Sequence, residues 1–334
     1  MEHDNNSDMN GKGICGLFNL GNTCYMNSVI QVLRIIPEWQ DVCNKIDENE
    51  YKISDNKYKK LFASYIELTK GMLNAINGGC RPLAFRKMII EDVRDGIYEQ
   101  FATRMPCDAH EFMMYLMNNF HEAIKMRCPI PSKTATVAVK EWCKLLEKDY
   151  SSLNQLFSGL DKISCKCLRC GNISVRWETF NMLKFRLIDN ESIENMILHE
   201  RCPIKVEEYD CDNCKGKSTV EISYNLWRLS PIIFIVVHRF KDDGSKFMGA
   251  LKCEGDEITF SKLFAVDCNE KSVSWKWEVI GTIDHHGSHM GGHYTAQVKH
   301  SVDGKWYLYD DETAHKIAKP LYGSHSYILC LRKI

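Results

Sequence analysis

The sequence predicts an α+β protein. Three observations carry that prediction. Apolar residues recur at helical spacing from Met26 to about Leu146, short alternating or continuous apolar runs dominate from Ile173 onward, and of two Cys-x-x-Cys pairs with a glycine close behind, one stands just before that second region and one within it. The chain has 334 residues, 44% apolar and 26% charged, ordinary values for a globular protein, with no internal repeat. Its 43 basic and 44 acidic residues give a net charge of -1, which excludes a global field for nucleic acid or an anionic membrane. No apolar run approaches about 18 residues. Residues 1–12 are polar and acidic, without the basic and apolar regions of a secretory signal, and are expected to form a disordered tail. The expected compartment is intracellular and reducing, cytoplasmic and/or nuclear, with the 16 cysteines read as thiols or metal ligands before disulfides.

The first helix is predicted by Met26, Val29, Ile30 and Leu33 at i, i+3, i+4 and i+7, with Pro37 as its stop. Helical patterns follow over Tyr58 to Ile76 and Leu83 to Tyr98, separated by Asn77-Gly78-Gly79. From Asp108, residues Phe112, Leu116 and Phe120 share a helix face that Met113, Met117 and Ile124 widen. Pro129 to Pro131 reads as a connector, and Val137 to Leu146 as one more helix. Strands are predicted over Ile173 to Leu187, Val220 to Trp227, Ile232 to Phe240, Trp275 to Ile283, His293 to Lys299, Trp306 to Tyr309 and Tyr327 to Leu331.

The run Gly16-Leu17-Phe18-Asn19-Leu20-Gly21-Asn22-Thr23-Cys24 is rich in turn residues and delivers Cys24 to the start of the first helix. Unpaired amides and the positive end of a helix dipole favour thiolate over thiol, so Cys24 is the candidate nucleophile. A lone cysteine is more often a small buried hydrophobe, and needs a histidine and an acid or amide elsewhere to qualify. The C-terminal part supplies both. Gly281 to Ala296 holds four of the 12 histidines in a glycine-rich loop leading into a strand. The glycines before His293 point to close backbone approach, and a general base is a better reading of His293 than a metal ligand. Lys305 to Tyr309 continues as the next strand and ends in Asp310-Asp311, where Asp310 is expected to accept Nδ1–H of the imidazole.

Cys167-Leu168-Arg169-Cys170 and Cys211-Asp212-Asn213-Cys214 form two knuckles about forty residues apart. Four thiolates suit tetrahedral zinc and leave no open position, so a structural site is expected, with glycine near each second cysteine allowing positive φ. Cys165 is a near neighbour without the two-residue gap.

Taken together these residues resemble the ubiquitin-specific protease family of cysteine peptidases. Gly16 to Leu33 is similar to its cysteine box, and Gly292 to Ala296 with Trp306 and Asp310-Asp311 to its histidine box. The paired knuckles stand in the family's order, as do Asp108-Ala109-His110-Glu111-Phe112 and the Pro231 to Phe240 strand ending in Arg-Phe. The likeness runs from about Gly16 to Leu331. It implies a papain-like core with an α-rich thumb (about 13–150), zinc-bearing fingers (about 155–230) and a β-rich palm (about 231–334), within a catalytic domain over 13–334. It implies Cys24 as nucleophile, His293 as base, Asp310 as orienting acid, Asn19 as oxyanion-hole side chain and Asp311 as an assisting polar residue. Asp108 and Glu111 match positions that contact the C-terminal tail of ubiquitin, and Tyr294 is expected to shape a narrow passage for its two glycines. Cys167, Cys170, Cys211 and Cys214 are the implied zinc ligands.

The implied activity is hydrolysis of the bond after the last glycine of ubiquitin through a thioester. Ubiquitin and ubiquitinated proteins are the expected partners, with an activating protein as a possible further one, and no nucleic acid or membrane. A protease for a ubiquitin-like modifier and a catalytically weak ubiquitin-binding domain are the alternatives. Pro106-Cys107 stands where the family usually has glutamines.

Overall fold

The computed structural model describes residues 12–47, 57–76, 78–94, 96–241, 243–252, 257–264, 268, 276–288 and 291–334. Expectations for the tail 1–11, for Asn77, for Trp275 as a strand start and for His289 lie outside these residues. The chain divides into two compact units. One takes the chain up to Lys125 with Phe240–Met248 and Ile280–Leu329; the other takes Met126–Arg239, Gly249–Val279 and Cys330–Ile334.

Among the described residues, the first unit contains five α-helices: α1 (Cys24–Arg34), α2 (Pro37–Asp47), α3 (Lys59–Asn74), α4 (Leu83–Asp92) and α5 (Ala109–Ile124). Pro37 does not simply end the first helix. It opens a second one, because proline at the first helical position gives up an amide that has no intrahelical partner anyway. The predicted helix from Leu83 ends at Asp92, and a short 3-10 turn, Glu99–Ala102, follows. Aromatic rings fuse the helices into one core. Phe120 of α5 lies 4.6 Å from Phe62 and 4.7 Å from Tyr65 of α3, and Trp39 of α2 stacks on Phe62 at 5.6 Å. Asp108 caps α5 by accepting from the Glu111 amide at 3.0 Å.

In the same unit, strand Gly291–Lys299 lies antiparallel between Trp306–Asp310 and the part of strand Lys276–Ser288 from Gly281 onward, with Thr313–Ile317 beyond. Gly281 faces the Val32 side chain, whose two methyls lie 3.4 and 3.5 Å from where a Cβ would stand. Near the N-terminus, Gly16–Leu17 pairs in parallel with Gly79–Cys80. A side chain on Gly16 would overlap the backbone of Glu312, so this glycine is what lets the N-terminal segment lie against the end of strand Trp306–Asp310.

The second unit carries helices α6 (Val137–Leu145), α7 (Ser152–Phe157) and α8 (Ile193–Glu200). Its four-stranded antiparallel sheet runs in the order Ile173–Phe180, Gly159–Cys167, Gly216–Arg228, Ile204–Cys211. The single strand expected over Ile173 to Leu187 is two. It breaks at Asn181, after which Met182–Arg186 pairs in parallel with Ile232–His238. An unbroken apolar run does not reveal such a change of partner. Among the described residues no helix is long and apolar enough to cross a membrane.

Candidate active site

Cys24 is the first residue of α1 and is 6% exposed. The Tyr294 amide donates to its sulfur, so strand Gly291–Lys299 and the start of α1 meet at this thiol. The electrostatics differ from the expectation for a bare helix terminus. Burial pushes the Cys24 thiol up, the Tyr294 amide pulls it down, Asp311 pushes it up again, and the helix-start amides of Tyr25 and Cys24 pull it down. Desolvation thus outweighs the helix-start amides at this sulfur.

His293 meets Asp310 through Nε2, at 2.6 Å from Oδ1. The expectation had this contact at Nδ1. Asp310 takes Nε2 instead, which leaves Nδ1 as the nitrogen free of the carboxylate. Asp311 has φ of 46° and faces the other way. Its Oδ1 accepts from Asn27 Nδ2 at 2.7 Å, its Oδ2 from Asn19 Nδ2 at 2.9 Å, and its backbone oxygen from the Leu17 amide at 2.8 Å. Asn19 is fixed on its other side too, where Oδ1 accepts from the amides of Gly21 (2.9 Å) and Thr23 (3.1 Å). The turn before Cys24 is therefore closed on one amide side chain, and the remaining N–H of Asn19 is uncommitted among the described contacts.

A cleft of about 230 Å³ opens beside Cys24, lined in part by Tyr25, Cys107, Asp108, His285 and Tyr294. The Asp108 carboxylate accepts from Tyr327 OH at 2.8 Å and Tyr294 OH at 3.3 Å besides capping α5. Glu111 is exposed and Tyr294 is buried. Gly292 lies so close to His285 and His286 that any Cβ would overlap them, which agrees with the close approach expected of the glycines before His293. Sequence reasoning missed Asn27, Tyr327 and His285. Asn27 had a signal: with Cys24, Gln31 and Arg34 it forms a polar row at helical spacing on α1, and it is 2% exposed.

The four knuckle cysteines lie in the second unit. Cys167 Sγ is 3.8 Å from Cys214 Sγ, Cys170 Sγ is 3.8 Å from Cys211 Sγ, and all four sulfurs fall within 4.8 Å of one another. Four thiolates about 2.3 Å from a central zinc would stand about 3.8 Å apart, so the donor set can hold such an ion. The Ser218 hydroxyl leads in drawing the Cys167 thiol down to about 6, and the Cys170 thiol leads in pushing Cys214 up to about 12, as expected when close thiols share one site. Cys165 packs against the group without joining it. Gly171 has φ of +72°, but in the second knuckle Lys215, not the glycine, takes the positive φ, at 52°.

The sequence model of the ubiquitin carboxyl-terminal hydrolase family matches residues 15–330. The chain belongs to this family. Among its relatives, ubiquitin carboxyl-terminal hydrolase Usp2 of Drosophila melanogaster is 24% identical over 340 residues, covering 96% of this chain and 35% of that protein. Bovine ubiquitin carboxyl-terminal hydrolase 2 is 24% identical over 93% of this chain and 53% of its own length. The chain thus spans about a third to a half of these relatives. Among solved structures, the SAGA Ubp8/Sgf11/Sus1/Sgf73 DUB module bound to ubiquitin aldehyde matches with a TM-score of 0.74 at 18% identity, over 97% of this chain and 70% of that one. That likeness shows the fold, a mixed architecture of helices and strands.

Burial and then the Lys246 cation, with Nζ 3.3 Å from Nδ1, draw His285 down to about 4. The unfolded value is higher, about 6.5, so the unfolded chain binds more protons between pH 6.5 and 4. Stability held above pH 6.5 is lost as pH falls through that window, by up to about 3 kcal/mol from this residue. Urea midpoints measured from pH 7 to pH 4 are expected to fall, and His285→Gln to flatten part of the fall.

Proposed function

We propose that this chain is a deubiquitinating cysteine protease that cleaves the amide or isopeptide bond after the C-terminal glycine of ubiquitin. The observation that carries the reading is the convergence, in one unit of a ubiquitin carboxyl-terminal hydrolase family member, of a buried thiol at a helix start, an imidazole held by a carboxylate at 2.6 Å, and a pinned amide side chain five residues before the thiol.

In this reading His293 takes the Cys24 proton on Nδ1, because Nε2 is bonded to Asp310. A thiol pushed up by burial gains more from a positioned base than an exposed one would. The thiolate attacks the glycine carbonyl, and the tetrahedral oxyanion is stabilised by the uncommitted N–H of Asn19 and by backbone amides near Cys24. Asp311 holds Asn19 for that task. The amine leaves with a proton from His293, a thioester remains, and water activated by His293 releases ubiquitin. Asp108, already engaged with Tyr294 and Tyr327, holds these two rings in place; Tyr294 beside the cleft narrows it to residues as small as glycine. Exposed Glu111 is available to a basic substrate tail. Ubiquitin and its conjugates are the proposed partners.

We further assign the Cys167, Cys170, Cys211 and Cys214 group to structural zinc. Bound zinc of this kind supplies folding energy on the order of 10 kcal/mol and no chemistry at Cys24.

Two experiments test this function. Cys24→Ser is expected to abolish hydrolysis of a ubiquitin C-terminal amide with the circular dichroism unchanged, and Asn19→Ala to lower kcat by about a hundredfold or more with KM little altered. Normal cleavage by the serine variant would refute the nucleophile. For the metal, a strong chelator is expected to release one zinc per chain and lower the melting temperature; protein purified without zinc and melting unchanged would rule the assignment out.

A further inference from the structure

The cleft beside Cys24 carries one buried side chain that none of the steps above uses. His285 is 6% exposed and lines the cleft with Tyr294, its cross-strand partner. Its backbone is held on both sides: the amide donates to the His325 carbonyl at 2.8 Å, and the carbonyl accepts from the Lys246 ammonium. The same ammonium stands 3.3 Å from Nδ1 of the ring. An ammonium has three donors and no acceptor, so Nδ1 is the unprotonated nitrogen and the ring proton sits on Nε2. Among the described contacts that Nε2–H has no acceptor.

Gly292 fixes where this N–H lies. A Cβ on Gly292 would stand 2.5 Å from His285 Nε2, so the glycine yields its side-chain space to this edge of the ring, and Gly292 itself borders the cleft. Tyr294 links the donor to the thiol, because its ring centroid is 4.6 Å from that of His285 while its amide donates to the Cys24 sulfur. Packing against Tyr294 and against Phe240, whose ring centroid is 5.9 Å away, would be served equally by a phenylalanine at 285. A buried imidazole N–H held to one tautomer is costly until an acceptor reaches it.

We propose that His285 is a substrate-binding residue of this cleft, donating Nε2–H to a main-chain carbonyl of the extended peptide just before the scissile bond, and that Lys246 is a positioning residue that fixes the tautomer. The proposal rests on the reading of the cleft as the passage for the C-terminal tail of ubiquitin. A peptide ending in two glycines offers no side chain to grip near its end, so its carbonyls are what the walls of a narrow passage recognise. With Nδ1 turned to a cation, the ring is a poor proton acceptor. Its work is therefore separate from that of His293: it binds and transfers no proton.

The test is steady-state cleavage, by the full chain, of ubiquitin bearing a fluorogenic amide at its C-terminus. His285→Phe keeps the ring packing without the donor and is expected to lower kcat/KM about tenfold or more, whereas His285→Gln, which still presents an N–H, is expected to stay within about threefold of the unaltered chain. Two measurements on the unaltered chain decide even if the phenylalanine variant fails to fold. Nitrogen NMR of histidine-labelled protein is expected to show His285 as the Nε2–H tautomer, and a mixture of tautomers in Lys246→Met. Replacing the carbonyl oxygen by sulfur at one of the two residues before the last glycine of the substrate weakens the acceptor alone; it is expected to slow cleavage, and the slowing to vanish in His285→Phe. An Nδ1–H tautomer, equal loss in the two His285 variants, no loss in His285→Phe, or no effect of sulfur at either residue overturns the proposal and leaves the proposed function standing. An unaltered chain that cleaves no ubiquitin amide refutes the proposed function and this contact together.

Discussion

One carboxylate ties the two ends of the chain together. Asp311 accepts from Asn27, 284 positions away, and from Asn19, 292 positions away, while its backbone oxygen takes the Leu17 amide. These bonds join the turn before Cys24, the first turns of α1 and the end of the strand that carries Asp310. Contacts this distant in sequence carry a loop-closure cost that the rest of the first unit must offset. Gly16 belongs to the same constraint, since only a residue without a side chain passes the Glu312 backbone.

A second constraint is the conflict between burial and charge at Cys24. The helix amides and the Tyr294 amide favour thiolate, yet desolvation dominates and pushes the thiol up. Helix α1 positions the sulfur, and Asp310 and Asp311, adjacent in sequence, face different partners: Asp310 takes His293, while Asp311, at positive φ, takes Asn27 and Asn19.

Much of this was legible in the sequence, and the exceptions have physical causes. The start of α1, the knuckle spacing and the glycines before His293 were read from local patterns, because each depends on a few adjacent residues. The first helix does stop before Pro37, but the helix that Pro37 opens was not foreseen, because proline at a helix's first position begins a helix as readily as it ends one. The break at Asn181 was invisible because strands paired to different neighbours look alike in composition. The choice of Nε2 for Asp310 and the raised Cys24 thiol depend on packing that no spacing records. One missed feature was present in the sequence: Cys24, Asn27, Gln31 and Arg34 form a polar stripe at helical spacing, and all four are buried. A buried polar stripe on a helix says that the helix is held by specific bonds, and here those bonds lead to Asp311, Cys15, Gly13 and Tyr309.

The central claim is that Cys24, out of the 16 cysteines of this chain, is the one that attacks the C-terminus of ubiquitin. The most direct measurement is incubation of the purified chain with ubiquitin bearing an electrophile at its C-terminus, followed by peptide mapping of the adduct. The account predicts one covalent ubiquitin per chain, attached at Cys24. No adduct, or an adduct on another cysteine with Cys24 unmodified, would contradict it.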